Sequence, residues 1–201
     1  MIVYVETNLL VEIALDQEQA ESARRIVDFA KAKRIQLVLP AISIAESYWA
    51  ISAKAEKRQP LLTQLVDAHR DLSRSAPLHF FSDSLRELGD AFLKLHQEHL
   101  DGFRSLLSDV LRLAHLVELG GETVASAMAI DLRYGQGLLD SMVLASVHAH
   151  ITEQGRVAPK LFTTRDRDLF GVAKQVLVAD YNCTCIPSYD DSAKFIEART
   201  I

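Results

Sequence analysis

The stretch Ile2-Val3-Tyr4-Val5-Glu6-Thr7-Asn8-Leu9-Leu10 decides how the chain is read. Four apolar or aromatic residues in succession fit a strand buried on both faces, as in parallel sheets covered by helices. The run ends on an acid, a hydroxyl and an amide, and from Leu9 onward the apolar positions take helical spacing. A carboxylate left where a buried strand ends is costly to desolvate unless something pairs with it. Glu6 could simply favour the N-terminus of the following helix, with Thr7 or Asn8 as its cap. The alternative is that other acids meet it in space.

Working outward, Ala20, Ala23, Ile26 and Val27 share one face of a second helix, and residues 35–40 read as a second strand. A helix starting near Ser43 carries Ile44, Tyr48 and Ile51. From about Pro60 to Met128 the pattern is almost wholly helical, punctuated at Pro77 and at Gly120-Gly121. After Gly135-Gln136-Gly137 the alternation resumes. A tightly packed helix through Leu138, Leu139, Met142, Val143, Ala145, Ser146 and Val147 ends at Gly155. Residues 160–164 read as a strand, 168–174 as a helix, 183–187 as the last strand, and a terminal helix reaches about Ala198. Helices between successive strands predict a mainly parallel central sheet flanked by helices, an α/β fold. One domain over 1–201, with a helical insertion at about 60–136, is the expected organisation.

The 201 residues are 49% hydrophobic and carry a formal net charge of −5, which argues against an unselective basic coat for nucleic acid. A polyanionic substrate would need a local basic rim, or cations held by the acids themselves. No apolar run of about 18 residues is free of charge, and Glu6 falls where a signal peptide would be basic or apolar. A cytoplasmic protein with no membrane association is expected. Cys183 and Cys185 share one face of a strand in poor geometry for a mutual disulfide, and read as packed thiols.

In open α/β sheets ligands collect at the carboxyl ends of the strands. Glu6 lies at one such end, and Asp166 lies just past the end of Leu161-Phe162-Thr163-Thr164. Glu46 and Asp140 each sit near the start of an otherwise apolar helix. Singly, each acid suits a helix end or a solvated side, and Asp166 or Asp168 suits a turn and cap. All four at comparable places in one alternating chain favour a shared crevice.

At these residues the chain resembles the PIN-domain nucleases. Four blocks carry the resemblance: the strand ending in Glu6-Thr7-Asn8-Leu9-Leu10, then Ile44-Ala45-Glu46, Leu139-Asp140-Ser141-Met142-Val143-Leu144-Ala145, and Phe162-Thr163-Thr164-Arg165-Asp166-Arg167-Asp168-Leu169-Phe170. The resemblance implies a PIN-like fold and an Mg²⁺ or Mn²⁺ site that hydrolyses RNA phosphodiester bonds. It implies Glu6, Asp140 and Asp166 as metal ligands, Glu46 as ligand or water-orienting acid, and Asp168 as a further acid. Thr7, Asn8 and Thr164 would orient the carboxylates. Arg165 and Arg167 would face a substrate phosphate, and Lys54, Lys57 and Arg58 would form a basic rim. It also implies an antitoxin protein as partner, the chain being the toxin of such a pair, and a homodimer. One departure is specific: the family usually begins with aspartate where this chain has Glu6, and Mg²⁺ tolerates distortion of its octahedron badly. A catalytically weak PIN-like module that binds RNA or protein is the alternative. An unrelated α/β phosphotransfer domain is weakened by the lack of an Asp-x-Asp motif after the first strand.

Other signals carry less. Gly135-Gln136-Gly137 lacks the third glycine and the preceding strand of a dinucleotide fingerprint. The pairs His96/His99 and His148/His150 lack a second ligand set for zinc. Ser141 beside Asp140 lacks the strand-turn-helix setting of a hydrolase nucleophile.

Overall fold

The computed structural model describes residues 1–74, 79–156, 158–181 and 183–200. Its elements run β1 (Ile2–Tyr4), α1 (Thr7–Ala14), α2 (Ala20–Lys31), β2 (Gln36–Pro40), α3 (Ile42–Ser73), α4 (His79–Leu113), β3 (His115–Val117), α5 (Gly121–Tyr134), α6 (Leu138–Gln154), β4 (Lys160–Thr163), α7 (Arg167–Tyr181), β5 (Cys183–Ile186) and α8 (Tyr189–Glu197). The strands form one five-stranded sheet in the order β3-β2-β1-β4-β5, and every pairing is parallel. β1 is central, with Val3 in register between Leu37 and Leu161, and Tyr4 between Val38 and Phe162. Strand order reverses at β1: β2 and β3 extend to one side, β4 and β5 to the other.

Alternation of side chains along the strands divides the core into two layers. Val3, Val5, Leu37, Leu39 and Leu161 pack with α1, α2, the second half of α4 and α8. Ile2, Tyr4, Val38 and Phe162 pack with α6 and α7. Because β1 is covered on both faces, its run of apolar residues is continuous rather than alternating with polar ones. Tyr4 and His150 are hydrogen-bonded at 3.0 Å in the second layer, and His115 stacks on His150 at 4.7 Å, so His150 is a core histidine with its own partners. Cys183 and Cys185 are free and pack against this same layer.

The segment from Pro60 to Met128 is not wholly helical. His115–Val117 forms the edge strand β3, paired with Val38, Leu39 and Pro40 of β2. Three residues show too little of a two-residue period to betray a strand, and this strand interrupts two helices. Pro60 lies inside α3, where it has no N–H to donate to the preceding turn, and α3 nevertheless continues to Ser73. The break expected at Pro77 lies outside the described residues. No described helix is long and apolar enough to cross a membrane.

The two halves of α4 have different surroundings. Phe103 and Val110 are buried in the sheet core, whereas Leu88 and Leu93 are exposed. Phe103→Ala should therefore cost about 3–5 kcal/mol by loss of burial and an unfilled cavity, while Leu93→Ala, at a position 58% exposed, should cost under about 1 kcal/mol. Urea denaturation of the two variants measures the difference.

Candidate active site

Glu6 lies two residues past β1 and is the N-cap of α1; its Oε2 accepts the Asn8 backbone N–H at 2.7 Å. The residue is only 3% exposed. Burial pushes its carboxyl up to about 8, and the charges of Glu46 and Asp166 push the same way, against hydrogen bonds from the Asn8 amide and the Thr164 side chain. The following Thr7 is also buried, and its hydroxyl donates to Glu46 Oε2 on the first turns of α3.

Asp166 follows β4. The Asp166 backbone N–H donates to Thr164 Oγ1 at 2.9 Å, and Asp166 Oδ1 accepts the N–H groups of Asp168 and Leu169 at 2.8 and 2.9 Å. Asp166 is thus the side chain that caps α7, while Asp168 lies exposed in the first turn of that helix. Asp140 lies in the first turn of α6. Partial burial raises its carboxyl to about 6, followed in effect by the charges of Glu46, Asp166 and Asp168.

The charges of Glu46 and Asp166 act on both Glu6 and Asp140, and that of Asp168 on Asp140, so these acids lie near enough to raise one another's proton affinity. Glu6 and Asp166 lie just past the carboxyl ends of β1 and β4, the adjacent strands at which the order reverses. Helical crossovers leave such a point open because the connections on either side depart in opposite directions. Among the described residues no three His, Cys, Asp or Glu side chains are gathered closely enough to hold an ion as they stand. Each of these acids has a local partner: Glu6 accepts the Asn8 N–H, Glu46 the Thr7 hydroxyl, and Asp166 the first N–H groups of α7. The donors themselves are carboxylate and hydroxyl oxygens, the chemistry suited to a hard divalent cation, and their mutual repulsion is what such a cation relieves.

Arg165 is engaged elsewhere. Its Nη1 donates to both oxygens of Glu12 at 2.8 and 2.7 Å, and Nη2 to Glu18 at 3.1 Å. Glu12, on α1, is 2% exposed and also accepts the Gln19 backbone N–H at 2.6 Å. The guanidinium fastens the β4–α7 loop to α1, one residue before Asp166. Arg167 is exposed on α7. Lys54 and Arg58 face His99 of α4, whose charge they disfavour together with its burial. A groove of about 690 Å³ runs past Asn8, Glu12, Arg165 and Asp166.

Sequence inspection passed over Glu12 and Tyr189. Glu12 stood in plain view, an acid inside the apolar helix Thr7-Asn8-Leu9-Leu10-Val11-Glu12-Ile13-Ala14. Arg165→Ala would leave that acid buried without its countercharge, and an unfolding free energy lower by about 3–5 kcal/mol is expected from chemical denaturation.

An α/β domain with an all-parallel sheet and acids just past the strands at its switch point is the class of protein that the fold defines. Residues 3–115 match the PIN domain family, more than half of the 201-residue chain. The chain belongs to the PIN-domain family, whose domains are in general nucleases that bind divalent metal ions. The matched segment carries Glu6 and Glu46, while Asp140 and Asp166 come from beyond it. No curated protein and no solved structure matches the chain.

Proposed function

We propose that the protein is an endoribonuclease dependent on Mg²⁺ or Mn²⁺ that hydrolyses RNA phosphodiester bonds at the crevice of Glu6, Glu46, Asp140 and Asp166. The observation that carries this is geometric: a buried Glu6 just past β1, Glu46 bonded by the neighbouring Thr7, and Asp166 just past the adjacent strand β4, at the point where strand order reverses, in a chain of the PIN-domain family.

Glu6, Asp140 and Asp166 would hold the ion, with Glu46 as a further ligand or the acid that orients the attacking water. When bound, a divalent ion supplies Lewis-acid charge for phosphodiester hydrolysis. The chain's own groups set the stage for it. Thr7 fixes the direction of one Glu46 oxygen, and Thr164 bonds both Glu6 and the Asp166 backbone. Asp168 adds negative charge at the edge. Arg165 keeps the Asp166 loop in place through Glu12, and the exposed Arg167 is the guanidinium left to meet a phosphate. The biological role that goes with this activity is that of a toxin restrained by an antitoxin protein.

The burial of Glu6 and its bond to the helix it caps favour a second reading, a PIN-like module with weak or no catalysis that binds RNA or protein. Cleavage assays on RNA, single-stranded DNA and a phosphate monoester, each with Mg²⁺, Mn²⁺ or EDTA, separate the two. RNA cleavage that stops with EDTA supports the nuclease. RNA binding without cleavage under any ion supports the second reading, and hydrolysis confined to the monoester rejects both.

A further inference from the structure

Glu6 is one methylene longer than the aspartate usual at its position, and the structure shows what that length reaches. Tyr189, the first residue of α8, is fully buried, and its hydroxyl faces Glu6 Oε1 at 3.5 Å, the outer limit of a hydrogen bond, from 183 positions away in sequence. An aspartate would end about one carbon–carbon bond, ~1.5 Å, farther from it, beyond any hydrogen bond. The opposite oxygen of Glu6 accepts the Asn8 backbone N–H at 2.7 Å, so a donor faces the carboxylate on each side.

Tyr189 is itself fixed. Its backbone N–H donates to Gln19 Oε1 at 2.7 Å, and the Gln19 backbone N–H donates to Glu12, the acid that binds Arg165. The rest of α8 is tied to the sheet by Ser192, whose hydroxyl donates to Thr163 of β4 at 2.7 Å, and Ser188 caps the helix through the Asp191 N–H. A hydrogen bond made by a rigidly held donor costs little ordering and fixes the direction of its acceptor.

We propose that Tyr189 is a positioning residue for Glu6: its hydroxyl aims the Glu6 carboxylate, and the extra methylene of Glu6 is the length that this hydroxyl requires. The proposal rests on Glu6 acting as a metal ligand.

The test uses the full chain with Tyr189→Phe, Glu6→Asp, the double variant and Asp140→Asn. Mn²⁺ binding is read by calorimetry and by the Mn²⁺-induced rise in melting temperature, with RNA cleavage measured in parallel. Phenylalanine keeps the buried ring, so the metal-free melting temperature of Tyr189→Phe should stay close to wild type. Its Mn²⁺ affinity should fall about tenfold or more, the size expected when a partner that orients a ligand is lost. Glu6→Asp should weaken Mn²⁺ binding comparably, and the double variant should be no weaker than Glu6→Asp alone, because the hydroxyl has nothing left to reach. Wild-type Mn²⁺ affinity in Tyr189→Phe, or full addition of the two losses in the double variant, overturns the role of Tyr189. Should Tyr189→Phe fail to fold, Glu6→Asp decides alone: unchanged Mn²⁺ affinity overturns the length match. Absence of Mn²⁺ binding by the wild type, or unweakened binding by Asp140→Asn, overturns the proposed function and this role with it.

Discussion

Asp140→Asn should lower metal-dependent RNA cleavage by on the order of a hundredfold or more while leaving the fold in place. The substitution keeps shape and removes one charge from a site whose work is electrostatic. Asp140 suits this experiment better than Asp166. The Asp166 carboxylate caps α7 through two backbone N–H groups, so its substitution mixes lost activity with about 0.5–2 kcal/mol of lost helix stability. Asp140 also carries a carboxyl raised to about 6 by burial and by the acids around it. Relieving that repulsion should leave the melting temperature of Asp140→Asn unchanged or higher near neutral pH. Undiminished cleavage by a well-folded Asp140→Asn protein would place the nuclease elsewhere or in a contaminant.

The second large effect is the dependence of stability on pH and on divalent metal. Burial, reinforced by Glu46 and Asp166, raises the Glu6 carboxyl from its ordinary range near 4.5 to about 8. Between those values the native protein binds more protons than the unfolded chain, so stability falls as pH rises. The contribution is fully present below about 4.5 and lost above about 8; Asp140 adds a similar loss as pH passes about 6. A divalent ion binds the ionised acids and reverses the preference. The rise in melting temperature on adding Mn²⁺ should therefore be larger at pH 8 than at pH 6, and EDTA should abolish it together with cleavage. Glu6→Gln removes the titrating group. Its metal-free stability should be flatter between pH 5 and 8, and its cleavage should fall on the order of a hundredfold as an anionic ligand is lost. Were Glu6 only a helix-end acid, glutamine would cost a few tenths to about 1 kcal/mol and leave turnover intact.

What could be read from residue order was whatever announces itself locally. The continuous apolar run of β1, the glycine that ends α6 and the four helix-starting acids each carry a pattern a few residues long. The family match agrees with the resemblance read from them. β3 left no such mark, because three residues at a sheet edge between helices have neither length nor period. The engagement of Arg165 was hidden for another reason. Beside Asp166 it reads as a phosphate contact, and only the fold brings Glu12 from 153 positions away to claim it. Tyr189 is the extreme case: nothing in Ser188-Tyr189-Asp190 points to a carboxylate at the other end of the chain.

The place of β1 at the centre of the sheet also sets a timetable for folding. Its neighbour β2 emerges from the ribosome soon after it, but its other neighbour, β4, begins only at Lys160, and Ile2 must wait for that residue to find its register. Closing so long a loop makes the central pairing a late and slow event, with one edge of β1 unpaired until then. Glu6 and Glu46 leave the ribosome long before Asp140 and Asp166. Until Asp140 has been made, a nascent chain holds only Glu6 and Glu46 of these four acids, and three of the five strands. Any chemistry that needs all four is withheld until Asp166 has been made and β4 has paired with β1.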